Sequence, residues 1–143
     1  MSHYLDTSAA AKLLVEEDES AALAGFLDSL PYPAGAGERL VSSALLETEL
    51  RRLAVREDLA QGAVSEVLER VALVEPDRSI LHEAGLLPGA RLRSLDAIHL
   101  ATAVRVGAVV VAYDRRLIEA AESLGLGVVS PRSNTGTSAG ADS

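Results

Sequence analysis

The chain of 143 residues contains no cysteine, so it has neither a disulfide framework nor a thiolate that could act as a nucleophile or a zinc ligand. Aromatic residues make up only 3%, too few for a surface on which the bases of single-stranded nucleic acid could stack. No apolar run is long enough to cross a bilayer, and the N-terminus lacks the basic-then-apolar pattern of a signal peptide. We therefore expect a cytoplasmic protein with no membrane association.

Positive charge is scarce and almost entirely carried by arginine. Lys12 is the only lysine among 13 basic residues, and the formal net charge is −8. That charge opposes non-specific binding of nucleic acid. Arginine suits forked contacts to phosphates, although a base-composition bias in the coding DNA would produce the same excess. If nucleic acid is the substrate, local arginines and a metal ion must hold it.

Hydrophobic residues make up 48% of the chain, enough for one domain with its own core. Short β-type runs alternate with helical patterns, which predicts an α/β fold with a short, mostly parallel sheet flanked by helices. We predict one ordered domain over residues 1–130, interrupted by a Pro/Gly loop at 31–38, and a disordered tail over 131–143. The predicted strands are 3–5, 40–42, 72–75, 108–112 and 125–129, and the predicted helices are 9–15, 19–30, 43–57, 61–73, 80–87, 94–106 and 115–124.

The predicted helix over 94–106 carries an acid in an apolar segment. It is apolar nearly all round, which is typical of a buried helix. A buried carboxylate is costly unless something pairs with it, so Asp96 needs a partner. The simpler alternative is that Ser94 caps the helix and Asp96 interacts with the helix dipole in the first turn.

Two further aspartates follow predicted strands directly. Asp6 and Asp114 each stand between a strand and a helix, where either could serve as a helix cap. In parallel sheets this is also the edge at which ligands bind. Like charges roughly 4 Å apart repel by about 4 kcal/mol at an effective dielectric constant of about 20. Gathering Asp6, Asp96 and Asp114 there therefore requires a cation or raised pKa values, and oxygen ligands suit Mg²⁺ or Mn²⁺.

Two glutamates lie on the predicted helix over 43–57. Glu47 stands four residues before Arg51, and Glu49 three before Arg52, so surface ion pairs would explain both. We favour the ion pair for Glu47, and the spacing leaves the role of Glu49 open.

Four segments together resemble the acidic motifs of PIN-domain ribonucleases, most closely the VapC-like toxins of type II toxin–antitoxin pairs. They are residues 4–8 (YLDTS), 43–51 (SALLETELR), 92–101 (LRSLDAIHLA) and 113–114 (YD), and the similarity spans about residues 3–131. The resemblance implies a three-layer α/β/α PIN-like fold. It also implies that the metal-binding and catalytic acids are Asp6, Glu49, Asp96 and Asp114.

The resemblance extends to the surroundings of these acids. Thr7 or Ser8 would support the site through a hydroxyl, and His99 would be hydrogen-bonded in the pocket wall rather than bind the metal. One departure is Ala112, since related toxins often carry Thr or Ser two residues before the last acid. Candidate RNA-binding arginines in or beside the motifs are Arg51, Arg52, Arg93, Arg115 and Arg116.

The function implied is a Mg²⁺-dependent endoribonuclease, with Mn²⁺ as a possible substitute, that hydrolyses RNA phosphodiester bonds. Its expected partners are RNA, a VapB-like antitoxin that covers the acidic pocket, and a second copy of the chain in a homodimer. The alternative is a PIN-like module whose site has decayed and which only pairs with an antitoxin-like protein. A phosphoacceptor receiver domain is disfavoured because it needs a lysine after its last core strand, where this chain has none.

Overall fold

A computed structural model describes residues 1–31 and 40–133. The predicted loop from residue 32 onwards and the predicted tail from residue 134 onwards lie outside the described residues. The described strands are β1 His3–Leu5, β2 Leu40–Ser43, β3 Ala72–Val74, β4 Val109–Val111 and β5 Val128–Val129. The described helices are α1 Thr7–Ala11, α2 Ser20–Asp28, α3 Leu45–Glu57, α4 Gln61–Glu69, α5 Arg78–Leu86, α6 Ser94–Val106 and α7 Arg115–Ser123.

The strands form one sheet in the order β3-β2-β1-β4-β5, and every described strand pair is parallel. The chain builds outward from β1 to β3, then returns to the other side of β1 to add β4 and β5. The strand order therefore reverses between β1 and β4, which is where ligands bind in open α/β sheets. This order also differs from the 2-1-3-4-5 order of receiver domains.

Alternation along the strands sends their side chains to two separate cores. Leu5 and Val111 are paired across β1 and β4 and pack into the cluster formed with α1, α2, α3 and α4. Tyr4 and Val110, one residue earlier on each strand, point to the opposite side and pack with α6 and α7. Helix α5 packs on α6 through Ile80 and the alanines Ala84, Ala97 and Ala101. The predicted three-layer α/β/α fold is confirmed.

No helix in the described part of the chain combines the length and the apolar character that a membrane span requires.

Several details of the helices differ from the sequence expectations. Helix α6 is buried along its middle, but Leu95 and Val104 are 48% and 45% exposed, so the expectation that it is buried nearly all round is wrong. Ser94 is the first helical residue rather than the cap, because Arg93 occupies the cap position and contributes no side-chain bond there. Helix α1 starts earlier than predicted because Asp6 accepts a hydrogen bond from the backbone N–H of Ser8.

Truncating a core leucine tests this packing. Leu100 is 1% exposed and lies in the cluster between the sheet, α6 and α7. We predict that Leu100→Ala lowers the free energy of unfolding by about 2–5 kcal/mol, because it leaves a cavity that the sheet cannot close. Leu86→Ala is the matched control, since Leu86 is 70% exposed and should change stability by about 0.5 kcal/mol or less. Equal losses in urea unfolding would contradict this assignment of the core.

Candidate active site

Asp6 and Asp114 lie at the reversal point of the sheet. Asp6 follows β1 directly, and Asp114 comes three residues after the end of the neighbouring strand β4. Each also caps the helix that follows: Asp6 Oδ2 accepts from the N–H of Ser8 at 3.0 Å, and Asp114 Oδ1 accepts from the N–H of Arg116 at 2.9 Å. The capping roles are therefore present, and they fix both aspartates at one edge of the sheet.

Asp96 connects the four acids electrostatically. Burial raises the pKa of Asp96, and the charges of Asp6 and Asp114 raise it further. The charge of Glu49 acts in the same direction, whereas His99 opposes these effects. Carboxylates at the end of β1, on α3 and at the β4–α7 junction thus act on Asp96 of α6.

Ser8 ties the ends of β1 and β4 together. Its hydroxyl donates to Asp6 Oδ2 at 2.7 Å and accepts from the backbone N–H of Tyr113 at 3.0 Å. Asp6 is 4% exposed, and burial raises its pKa although the charge of His99 and the bonds from Ser8 oppose the rise. Ser8 therefore orients a carboxylate whose ionised form the surroundings do not favour.

Glu49 is held by a buried polar chain that reaches across the sheet. His99 Nε2 lies 2.7 Å from Glu49 Oε1, and the Thr7 hydroxyl donates to the same oxygen at 2.6 Å. Because an ionised carboxylate only accepts hydrogen bonds, Nε2 must carry a proton. The other ring nitrogen of His99 lies 2.6 Å from the Tyr4 hydroxyl, which also accepts from the backbone N–H of Ser43.

The pair of His99 and Glu49 favours opposite charges. Burial raises the pKa of Glu49, but the hydrogen bonds from His99 and Thr7 and the charge of His99 outweigh it, so the pKa lies below its usual value. Burial lowers the pKa of His99, but the hydrogen bond and charge of Glu49, with the charges of Asp6 and Asp96, raise it above its usual value. His99 therefore holds the carboxylate of Glu49, and its supporting role in a metal site stays a prediction.

The donor chemistry of the site suits a hard divalent cation. Four carboxylates supply oxygen ligands only, and a cation would relieve the repulsion that adds to the effect of burial in raising the pKa of Asp96. Within residues 1–31 and 40–133, however, no three acids or histidines are already arranged as a metal-binding group. The site therefore fits a cation by its chemistry and charge, but it is not a preformed cage.

The candidate arginines separate into different environments. Arg51 is engaged: its guanidinium contacts Glu47 Oε2 at 2.9 Å, Gln61 Oε1 at 3.0 Å and Ser65 Oγ at 3.2 Å. The predicted ion pair of Glu47 is thus present, and Arg51 ties α3 to α4. Arg52 and Arg115 are exposed, while Arg93 and Arg116 line a cleft beside Asp96.

Ala112 and Tyr4 show what the motifs alone did not reveal. The side chain of Ala112 is fully buried and packs in the cluster with α6 and α7. Tyr4 was missed as a site residue, although it precedes Asp6 by two positions and strand alternation places both on one side.

The catalytic and metal-binding roles assigned to the acids remain predictions.

Comparison with known proteins agrees with this fold. Residues 3–123 match the PIN domain family. Ribonuclease VapC35 of Mycobacterium tuberculosis is 47% identical over 135 residues, which cover 90% of this chain and 96% of the relative. The chain therefore belongs to the PIN-domain family. Within that family, its sequence similarity is to VapC ribonucleases.

Two solved structures share the fold. The crystal structure of Mycobacterium tuberculosis VapC20, a sarcin–ricin loop cleaving toxin, superimposes with a TM-score of 0.71 over 91% of this chain and 100% of that chain. A toxin–antitoxin complex from Klebsiella pneumoniae gives a TM-score of 0.67 over 91% of this chain and 98% of that chain. Both are 18% identical to this chain, so they show the fold alone.

Removing the Tyr4 hydroxyl tests the buried polar chain. Tyr4→Phe keeps the ring but leaves one nitrogen of His99 and the N–H of Ser43 without their partner. We predict a loss of about 1–3 kcal/mol in the free energy of unfolding, which is the usual cost of a buried polar group left unsatisfied. Tyr113→Phe is the control, since among the described residues the part-buried Tyr113 hydroxyl donates only to the carbonyl of Pro131. A Tyr4→Phe protein as stable as wild type would contradict the network.

Neutralising Asp96 tests the crowding of charge. Its folded-state pKa is raised, so the ionised form destabilises the fold at neutral pH. We predict that Asp96→Asn raises the melting temperature of the metal-free protein at pH 7. The difference in melting temperature between the two proteins should shrink as the pH falls from the raised pKa towards the ordinary aspartate value, because wild-type Asp96 then becomes neutral. A lower melting temperature for Asp96→Asn at pH 7 would argue against the cluster.

Proposed function

We propose that this chain is a metal-dependent endoribonuclease that hydrolyses RNA phosphodiester bonds and acts as the toxin of a toxin–antitoxin pair. The ribonuclease class rests on its relationship to VapC ribonucleases. The observation that supports metal dependence is the raised pKa of Asp96, to which the charges of Asp6, Asp114 and Glu49 contribute. We propose Mg²⁺ as the ion, with Mn²⁺ as a substitute, and the cytoplasm as the place of action.

In this mechanism Asp6, Glu49, Asp96 and Asp114 would hold the ion. A bound Mg²⁺ would lower the pKa of a water molecule and offset negative charge on the phosphate being transferred. Ser8 keeps the carboxylate of Asp6 in place, and His99 with Thr7 keeps that of Glu49. These bonds limit the reorganisation needed when substrate binds. The expected products carry a 5′-phosphate and a 3′-hydroxyl.

We further propose that a small VapB-like antitoxin covers the acidic edge and that the toxin forms a homodimer. The structural neighbour from Klebsiella pneumoniae is a toxin–antitoxin complex, which supports an antitoxin partner. An exposed Asp114 beside a half-buried Asp96 offers a negative surface to a basic side chain of such a partner. The particular RNA cut is left open, because surface contacts rather than the acids select it.

The alternative of a decayed binding module has less support. Its one argument was the missing hydroxyl at Ala112, whose side chain packs in the core with α6 and α7. All four acids are retained, and the side chains that orient Asp6 and Glu49 are in place. A cleavage assay with added Mn²⁺ separates the two functions.

Substituting one acid tests the proposed chemistry. We predict that Asp96→Asn lowers the rate of RNA cleavage by about 100-fold or more, because the site loses one of the carboxylates proposed to hold the ion that offsets negative charge on the phosphate. Glu47→Gln is the matched control: it removes an acid of the same helix as Glu49 whose carboxylate binds Arg51 instead. Wild-type cleavage by a folded Asp96→Asn protein would refute the assignment.

Metal binding can be tested without any substrate. We predict that millimolar Mg²⁺ raises the melting temperature of the wild-type protein, because an ion that binds only the folded state stabilises it. The rise should be much smaller for Asp96→Asn and unchanged for Glu47→Gln. A melting temperature that does not respond to Mg²⁺ or Mn²⁺ would count against a carboxylate metal site.

A further inference from the structure

A cleft of about 330 Å³ opens directly beside the acidic site. One wall is the turn between α5 and α6 with the first turn of α6, and the other wall is α7. Asp96 belongs to this lining, so the cleft and the acidic site share a residue. The remaining lining includes three arginines, namely Arg91, Arg93 and Arg116.

These three arginines have no competing use in the fold. All three are exposed, and none forms an ion pair or a side-chain hydrogen bond with any part of the chain that the structure describes. Arg51 shows the contrast, since its guanidinium donates hydrogen bonds to side chains of α3 and α4. Three unpaired guanidinium groups around one cleft form a site for an anion, and their planar forks match phosphate oxygens.

The rest of the lining limits what the anion can be. Leu92 and Ala120 provide apolar surface in the same cleft, which suits the flat face of a sugar or base rather than a free inorganic ion. Glu119 and Asp96 also line it, so a ligand with dense negative charge on every side would be repelled. A nucleotide unit within an RNA strand meets these conditions, because it carries one phosphate charge beside an uncharged sugar and base.

We propose that this cleft seats the nucleotide adjacent to the scissile phosphate, with Arg91, Arg93 and Arg116 contacting the flanking phosphate. This inference rests on the proposed function and names the part of the molecule that positions its substrate. Arg91 is a new assignment, since it lies outside the acidic motifs. Asp96 lines the cleft, so an RNA strand held there passes this acid at close range.

The test measures RNA binding separately from cleavage. The inactive Asp6→Asn protein serves as the background, because Asp6 does not line the cleft. Binding of a fluorescently labelled single-stranded RNA oligonucleotide is measured by anisotropy at several salt concentrations. The cleft variant carries Arg91→Ala and Arg116→Ala. The control carries Arg56→Ala and Arg78→Ala, two exposed arginines outside the cleft lining that change the net charge equally.

We expect the substitutions in the cleft variant to raise the Kd for RNA about tenfold. The slope of log K against log salt should become less negative by about 0.7 for each lost phosphate contact. The control should change both quantities little. Thermal melts establish that both proteins remain folded, and Arg91→Lys with Arg116→Lys should restore part of the salt slope without the forked contacts.

Each outcome has a separate meaning. If both double variants bind RNA equally, with the Asp6→Asn background binding well, the cleft assignment is overturned and the nuclease proposal stands. If the cleft variant keeps its affinity for RNA but loses affinity for a polyglutamate peptide, the cleft is a peptide site and the proposal is wrong. If no variant binds RNA and the wild-type protein does not cleave it, the proposed function itself fails.

Discussion

Repulsion among carboxylates at one edge of a parallel sheet is the constraint on which this site depends. Asp6 and Asp114 lie at the same edge because β1 and β4 are adjacent and parallel, with Asp6 directly after β1 and Asp114 three residues after β4. Asp96 then enters from α6, where burial raises its pKa and the charges of Asp6 and Asp114 raise it further. The fold tolerates this cost because two of the acids also cap helices, so their oxygens accept N–H groups that would otherwise lack partners. A cation bound at this edge would be attracted by the same carboxylates that repel one another.

A buried hydrogen-bonded chain behind the site holds the carboxylate of Glu49 in place. Tyr4, His99 and Glu49 form a hydrogen-bonded chain from the α6 side of the sheet to the site, where Thr7 joins it. Within the described residues, no buried side-chain nitrogen or oxygen lacks a hydrogen-bond partner. Such fully satisfied networks hold side chains in one geometry, whereas a partly satisfied network would destabilise the core. The same residues therefore contribute to both packing and orientation of the site.

Much of this arrangement follows from the sequence, and the rest depends on tertiary contacts. Alternating apolar runs and helical patterns predict the α/β class, and an aspartate shortly after a strand predicts the edge at which Asp6 and Asp114 lie. The glutamate was chosen by resemblance, because spacing alone allowed an ion pair for both Glu47 and Glu49. The partner of Tyr4 is 95 residues away in the chain, so no local pattern identifies it. The cleft likewise joins two walls distant in sequence, and exposure at the ends of α6 depends on what packs against it.

The most direct measurement of the central claim is the pKa of the Asp96 carboxyl group, obtained from carbon-detected NMR titrations of the metal-free and Mg²⁺-bound protein. We predict a pKa above the ordinary aspartate value without metal, because burial and then the charges of Asp6 and Asp114 oppose ionisation. We also predict that saturating Mg²⁺ lowers this pKa strongly, since a cation favours the ionised form. An ordinary pKa that Mg²⁺ leaves unchanged would contradict the convergence of these acids on one ion.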